Sequence, residues 1–201
     1  MSRLVIATHN PGKAHEIGAM LGTVTVELLT LDSFEHIPAP EETEDSYEGN
    51  AILKARYYAQ ALNEIVLADD SGLEVSALGG LPGVHSARYS GPNASDEDRR
   101  LKLLHELESV PSENRDARFV CSVAVANAKQ EVLFVAEGTC RGQITFQARG
   151  SSGFGYDPIF MPTGYDKTFG ELSEEIKNQI SHRANALAKL RGFLADEKWR
   201  A

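Results

Sequence analysis

Apolar and polar positions recur along the chain in two rhythms, near every second residue or near every 3.6, and each predicts a different element. Residues 3–7 (RLVIA) predict a short buried strand, and 13–22 (KAHEIGAMLG) a helix ended by Gly22. Residues 24–29 (VTVELL) predict a second strand, and the Pro- and acid-rich 35–45 (EHIPAPEETED) a loop. The clearest early helix spans 46–62. Its Ala51, Ile52, Ala55, Ala59 and Leu62 share one stripe, the expected core face. Tyr47, Asn50, Lys54 and Tyr58 share an adjoining face, with Asn50 and Lys54 one turn apart.

The next pattern, VLADDSGLEV at 66–75, is an apolar run that ends in two aspartates before a second strand-like run, so strands are expected at 65–68 and 73–77. Glycines 79, 80 and 83 with Pro82 mark a turn. A helix at 95–109 opens with a capping box, Ser95 to Asp98, and should turn Leu101, Leu104 and Leu107 inward. Residues 117–126 (ARFVCSVAVA) are apolar on both faces, as in a central strand, and 131–138 pair with them through a short turn. A third strand is expected at 143–147, then a Gly-rich loop at 150–157, a strand-like PIFM, and helices near 173–179 and 182–195. Early alternation of strands and helices followed by a meander predicts an α/β class with a mixed sheet.

Length and charge narrow the setting. A chain of 201 residues, 42% hydrophobic and without linker or repeat, predicts a single domain over 1–201. A formal charge of −9 argues against nucleic acid or an anionic membrane as partner, while leaving room for a small polyanion wherever cations gather. Cys121 and Cys140 lack metal-type spacing and read as buried thiols in a reducing compartment. The N-terminal apolar run is too short for a signal peptide, and no run suffices to span a bilayer, so a cytoplasmic location is expected.

Four segments carry candidate chemistry. THNPGK (8–13) joins the first strand to the first helix, where backbone N–H groups, the helix dipole and Lys13 suit a phosphate; it lacks the Walker A spacing, and an ordinary Asn-Pro-Gly turn is the alternative. Glu41, Glu42, Asp69 and Asp70 supply oxygen ligands of the kind Mg²⁺ takes, against the reading of a solvated acidic loop and turn. Strand alternation turns Asp69 and Asp70 to opposite sides, so one of them can face a site while the other braces the turn or tunes its neighbour. RGSSGFGYDPIF (149–160) offers close backbone approach and aromatics that can stack on a base, or a mobile loop. His182 and Arg183 would open the last helix, where the dipole disfavours positive charge; such an inconsistency marks a candidate site, or a plain surface pair. With Lys54 and Lys177, these segments together describe a nucleoside triphosphate site.

ATHNPGKAHEI, PEET, YEGNAILKARYYA, ADDSGLEVSALGGLPGVHSARYSG, GFGYDPIF and ISHRANAL, in this order across residues 3–194, resemble the motif series of the inosine triphosphate pyrophosphatase family in its bacterial form. The resemblance implies an elongated, two-lobed α/β domain with a mixed sheet and a central cleft, usually a homodimer. It implies Mg²⁺-dependent hydrolysis of ITP, dITP and XTP to the monophosphate and pyrophosphate. By matching motif, Thr8, His9, Asn10, Pro11, Gly12 and Lys13 would hold the phosphates, with no separate role for His9 or His85. Lys54 would reach the triphosphate, Glu41 and Asp70 would bind the metal, Asp70 would be the general base, and Ser71 would lie beside the substrate. Phe154, Gly155, Tyr156 and Asp157 would meet the nucleoside, Phe154 by stacking, and Lys177, His182 and Arg183 would complete the base pocket. A pyrophosphatase for modified pyrimidine nucleotides, a phosphate-releasing phosphatase and a nucleotide-binding module without turnover are the rival readings.

Overall fold

The computed structural model describes residues 3–22, 24–196 and 199. Strand β1 (Arg3–Ile6) leads into α1 (Pro11–Leu21), whose start is set by Asn10: its side chain accepts the Lys13 N–H, and Pro11 supplies a helical φ at the first position. After β2 (Glu27–Thr30) and the acidic loop comes α2 (Tyr47–Leu62). Ser46 caps it by accepting the Gly49 N–H, and Asn63 ends it in the left-handed region at φ 54, where Asn is tolerated. Then follow β3 (Val66–Val75), α3 (Asp96–Glu106), β4 (Asp116–Ala126), β5 (Val132–Ile144), β6 (Phe160–Pro162), α4 (Glu174–Ile180) and α5 (His182–Ala195). The capping box forms as expected, Ser95 accepting the Asp98 N–H while Asp98 accepts the Ser95 N–H.

The sheet runs in the order β2-β1-β3-β4-β5-β6. β1 is parallel to β2 and to β3, with Val5 opposite Val66 and Ile6 opposite Leu67, and β5 is antiparallel to β6. The α/β class with a mixed sheet is thus observed. Two expectations are corrected. The segments 65–68 and 73–77 are one ten-residue strand that passes straight through Asp69-Asp70-Ser71-Gly72. Likewise 131–138 and 143–147 merge into the thirteen-residue β5. Along β5, Gly142 lies opposite Pro162, and a Cβ there would stand 2.3 Å from the Met161 carbonyl oxygen, so only glycine admits β6 at this approach.

Two compact units divide the chain. The first is drawn from Met1–Asp70, Cys121–Gly138 and Arg183–Ala201. Strand alternation gives it two cores. Leu4, Ile6, Leu67, Cys121 and Val123 pack with Ile17 and Leu21 of α1 and Leu187 and Leu190 of α5. Val5, Ala7, Val66, Ala68 and Ala124 pack with the predicted α2 stripe, whose alanines at 51, 55 and 59 are fully buried.

The second unit, Ser71–Val120 with Thr139–His182, has one core around Leu73, Leu103, Leu107, Phe119, Phe160 and Phe169. Here Leu101 is a correction: it is 58% exposed, and Leu103 takes the inward place one turn before Leu107. Arg115 is buried in this unit, donating to the carbonyls of Leu107, Ile144 and Thr145. Among the described residues no helix is long and apolar enough to cross a membrane, and both cysteines are free and buried.

Candidate active site

The alternation that builds two cores in the first unit also sorts its two aspartates. Asp70 follows Val66 and Ala68 onto the α2 side. There the polar face of α2 meets it: Lys54 Nζ lies 2.8 Å from Asp70 Oδ1, and Asn50 Nδ2 donates to Oδ2 at 3.4 Å. Lys54 also reaches Glu42 Oε1 at 2.9 Å, so one ammonium joins Asp70 to the acidic loop. One turn further along α2, the Tyr58 hydroxyl is 3.0 Å from His9 Nε2, in the loop before α1. Burial lifts the Asp70 carboxyl above its ordinary value despite Lys54 and Lys13. Lys54 is raised: burial opposes its charge, and Asp70, Asp69 and Glu42 outweigh it. A buried carboxylate whose proton affinity is raised by burial can act as a general base.

Asp69 follows Leu67 onto the opposite side, against α1 and α5. Its Oδ2 lies 3.0 Å from Lys13 Nζ and 3.1 Å from Arg183 Nη2, and Arg183 also pairs with Glu16 through Nη1. Arg183 is 1% exposed. Burial by itself would raise the Asp69 carboxyl, but Lys13 and Arg183 hold it well below the usual carboxylate range. The same burial works against Arg183, and Asp69 leads the groups that push its guanidinium the other way. The positive charge that looked misplaced at the start of α5 is therefore balanced by two carboxylates. Asp69 does not brace a turn, since the strand has none there; it ties Lys13 to Arg183 at the start of α5. Cys121 lies 3.8 Å from the same oxygen, and burial pushes its thiol up to about 12, so it stays protonated.

Asn50 links the acidic loop to the aspartate. Fully buried, it accepts the Glu44 N–H and donates to the Glu44 carbonyl, each at 3.1 Å, besides its contact with Asp70. Asn50→Ala is expected to lower stability by about 1–3 kcal/mol, because both Glu44 backbone groups lose their partner. It should also lower turnover severalfold by loosening residues 41–45. Thermal unfolding and steady-state rates on one preparation check this; a stability loss with unchanged turnover would show that the loop's placement is immaterial to the chemistry.

The second unit carries the aromatic loop. Phe154 is half-buried, with Lys177 Nζ 4.7 Å above its ring. Asp157 Oδ2 accepts the Phe154 N–H at 2.8 Å and pairs with Lys177 at 2.5 Å, so one carboxylate shapes the loop and holds the cation. Gly153 sits so close to this carboxylate that a Cβ would fall 2.1 Å from Oδ2. Tyr156 is in the core, its hydroxyl donating to the Ser86 carbonyl. His182 is buried and stacks on Phe119 at 4.7 Å between ring centroids.

These placements coincide with a sequence match. The Ham1 family model covers residues 4–193. The chain belongs to the Ham1 family. A curated relative, the dITP/XTP pyrophosphatase of Geobacillus kaustophilus (strain HTA426), is 48% identical over 199 residues, spanning 99% of this chain and 95% of its own. Among solved structures, a HAM1 protein from Coxiella burnetii aligns with a TM-score of 0.88 at 38% identity. The Staphylococcus aureus Ham1 protein aligns with a TM-score of 0.86 at 43% identity. Each of these two alignments covers 98% of this chain and 100% of the other.

In this Ham1 chain, Lys13 and Arg183 gather around Asp69, and Lys54 gathers with Asp70. Thr8 and Asn10 shape the loop between them: Thr8 Oγ1 accepts the Asn10 N–H, and Asn10 caps α1. Pro11 and Gly12 open that helix, and Ser71 is half-buried directly after Asp70. Glu41 is exposed, and it is Glu42 that reaches Lys54.

The donor set suits a hard divalent cation: Asp70 and the Glu41-Glu42 pair offer carboxylate oxygen. No cluster of three His, Cys, Asp or Glu side chains is preformed among the described residues, so such an ion would take further oxygens from substrate phosphates and water. Sequence reasoning passed over Glu16 and read Glu42 as a candidate metal ligand, not as the partner of Lys54. The signal for Glu16 was present: it lies at helical spacing between Lys13 and Ile17, Met20, on a stripe that is otherwise buried.

Proposed function

We propose that this Ham1 protein hydrolyses noncanonical purine nucleoside triphosphates (ITP, dITP and XTP) to the monophosphate and pyrophosphate with Mg²⁺. The observation that carries the reading is the pair of adjacent buried aspartates on opposite faces of one strand, each with its own lysine: Asp69 with Lys13, Asp70 with Lys54. The name of the Geobacillus relative, dITP/XTP pyrophosphatase, supports the same substrate class.

In this reading a water molecule attacks the α-phosphorus, the bond to the β-phosphate oxygen breaks, and pyrophosphate departs. Asp70 accepts the water's proton, its burial having raised its affinity for one. Lys13 and Lys54, with the N–H groups of the 8–13 loop, hold the phosphates and offset their charge. Asp69 fixes where Lys13 can reach. Asp70 and Glu41 would hold a divalent cation, which would supply further positive charge against the phosphate oxygens. Phe154 stacks on the base, with Gly155 to Asp157 around it, and Lys177, His182 and Arg183 complete the base pocket, His182 and Arg183 as donors to the 6-oxo purine edge that ATP's 6-amino group cannot satisfy. The two units act as one domain, in a cytoplasmic homodimer without nucleic acid or membrane as partner.

The test is release of pyrophosphate and orthophosphate from ITP, XTP, GTP, ATP and dTTP, with Mg²⁺ and with EDTA. Mg²⁺-dependent pyrophosphate release, fast for ITP and XTP, is expected. Orthophosphate as the product would make the protein a phosphatase instead. No turnover by folded protein would leave a nucleotide-binding module.

A further inference from the structure

Helix α3 carries Asp96 and Arg100 four residues apart, hence on one face. Both close on a single residue of the aromatic loop. Asp96 Oδ2 accepts the Gly155 N–H at 2.6 Å, and Arg100 Nη1 donates to the Gly155 carbonyl at 2.7 Å. The two backbone groups of Gly155, at φ 59, are thus both held by one helix. Asp96 is itself fixed: its other oxygen pairs with Arg99, which is anchored on the carbonyls of Ala87 and Ala94. Although partial burial would raise the Asp96 carboxyl, the Gly155 N–H and Arg99 hold it below the ordinary carboxylate value, which makes the bond to Gly155 a charge-assisted one. Two further fastenings, Asp157 on the Phe154 N–H and Tyr156 on Ser86, fall on either side of this one and use different partners.

We propose that Asp96 and Arg100 are positioning residues that clamp Gly155 and thereby set the place and tilt of Phe154 for stacking on a purine base. The proposal rests on the reading above that Phe154 meets the base. A clamp of two charge-assisted hydrogen bonds on the two peptide units that flank one Cα preorganises the loop before substrate arrives, which lowers the ordering penalty of binding. Its effect therefore belongs to binding of the base and not to the phosphate chemistry.

Steady-state kinetics on ITP with Asp96→Ala, Arg100→Met, Phe154→Ala and the double variant Arg100→Met/Phe154→Ala tests it. Phe154→Ala should raise KM about 10-fold or more, as loss of base stacking does. Asp96→Ala and Arg100→Met should each raise KM roughly 5- to 10-fold with a much smaller change in kcat, the pattern of lost uniform binding. Asp96→Asn and Arg100→Lys, which keep an acceptor and a donor, should recover part of the loss. In the double variant the Arg100 effect should largely vanish, because it acts through Phe154. If Phe154→Ala leaves KM unchanged, the reading of the loop as a base site fails. If Phe154→Ala raises KM while Asp96→Ala and Arg100→Met do not, or if the Arg100 and Phe154 effects multiply in the double variant, the clamp is overturned and the base site stands.

Discussion

Asp70→Asn is expected to lose at least about 100-fold in kcat for pyrophosphate release, while unfolding at the same temperature as the parent or higher. The first half follows from chemistry: an amide cannot take a proton from water. The second follows from the direction in which Asp70 is shifted. Burial raises its carboxyl above the unfolded value of 3.8, more than Lys54 and Lys13 lower it. A group whose folded pKa is raised favours the fold fully below the unfolded value, and that contribution is lost as pH rises through the folded one. At neutral pH the Asp70 carboxylate therefore works against the fold, and a neutral amide of the same shape relieves it. Lys54 keeps Glu42 as partner in the variant. Rates on ITP with Mg²⁺, and melting curves without metal, check both halves. Turnover near that of the parent would remove Asp70 from the chemistry, and a large fall in melting temperature would make it a structural residue.

Asp69→Asn, one position away, should do the opposite to stability. Its carboxyl is held below the unfolded 3.8 by Lys13 and Arg183, in spite of burial. The sign is now reversed: a depressed group stabilises the fold above its unfolded pKa, and that contribution is lost as pH falls below about 4 toward the folded value. Removing the charge at neutral pH leaves Arg183, 1% exposed, with Glu16 as its remaining named carboxylate and frees Lys13 from its anchor. Breaking a buried pair from one side costs about 3–5 kcal/mol, and at about 2–4 °C per kcal/mol for a chain of this size the melting temperature should fall by roughly 10 °C. Turnover should fall too, since Lys13 loses the carboxylate that fixes its place. Melts of parent and variant at pH 7 and again below pH 4 decide the matter. The gap should narrow in acid, and a variant melting within about 2 °C of the parent at pH 7 would mean the network contributes little.

What could be read from the chain alone is what depends on local period. The face of α2 that carries Asn50, Lys54 and Tyr58 follows from 3.6 residues per turn, and all three do meet Asp70 or His9 of the loop before α1. The opposite facing of Asp69 and Asp70 follows from the strand's period of two. The Ser95–Asp98 capping box is a four-residue affair and forms as read. Each of these is settled by backbone geometry within one element, and no distant residue is needed to decide it.

Other features were decided only by the tertiary structure. β3 runs on through Asp69-Asp70-Ser71-Gly72 because the charges that ought to break a buried strand are satisfied by Lys13, Lys54 and an arginine 114 residues away. Local sequence shows the carboxylates but not their partners, so an interruption is the natural reading. Leu101 was read as inward in place of Leu103 for the same reason: the stripe that faces the core depends on what α3 packs against. Which glutamate of the acidic loop reaches Lys54 has no period to reveal it, and the grip of α3 on Gly155 joins residues 55 and 59 positions apart. A buried charge or a bound loop is stable only when a partner arrives from elsewhere in the chain, and that pairing is a property of the fold, not of any segment.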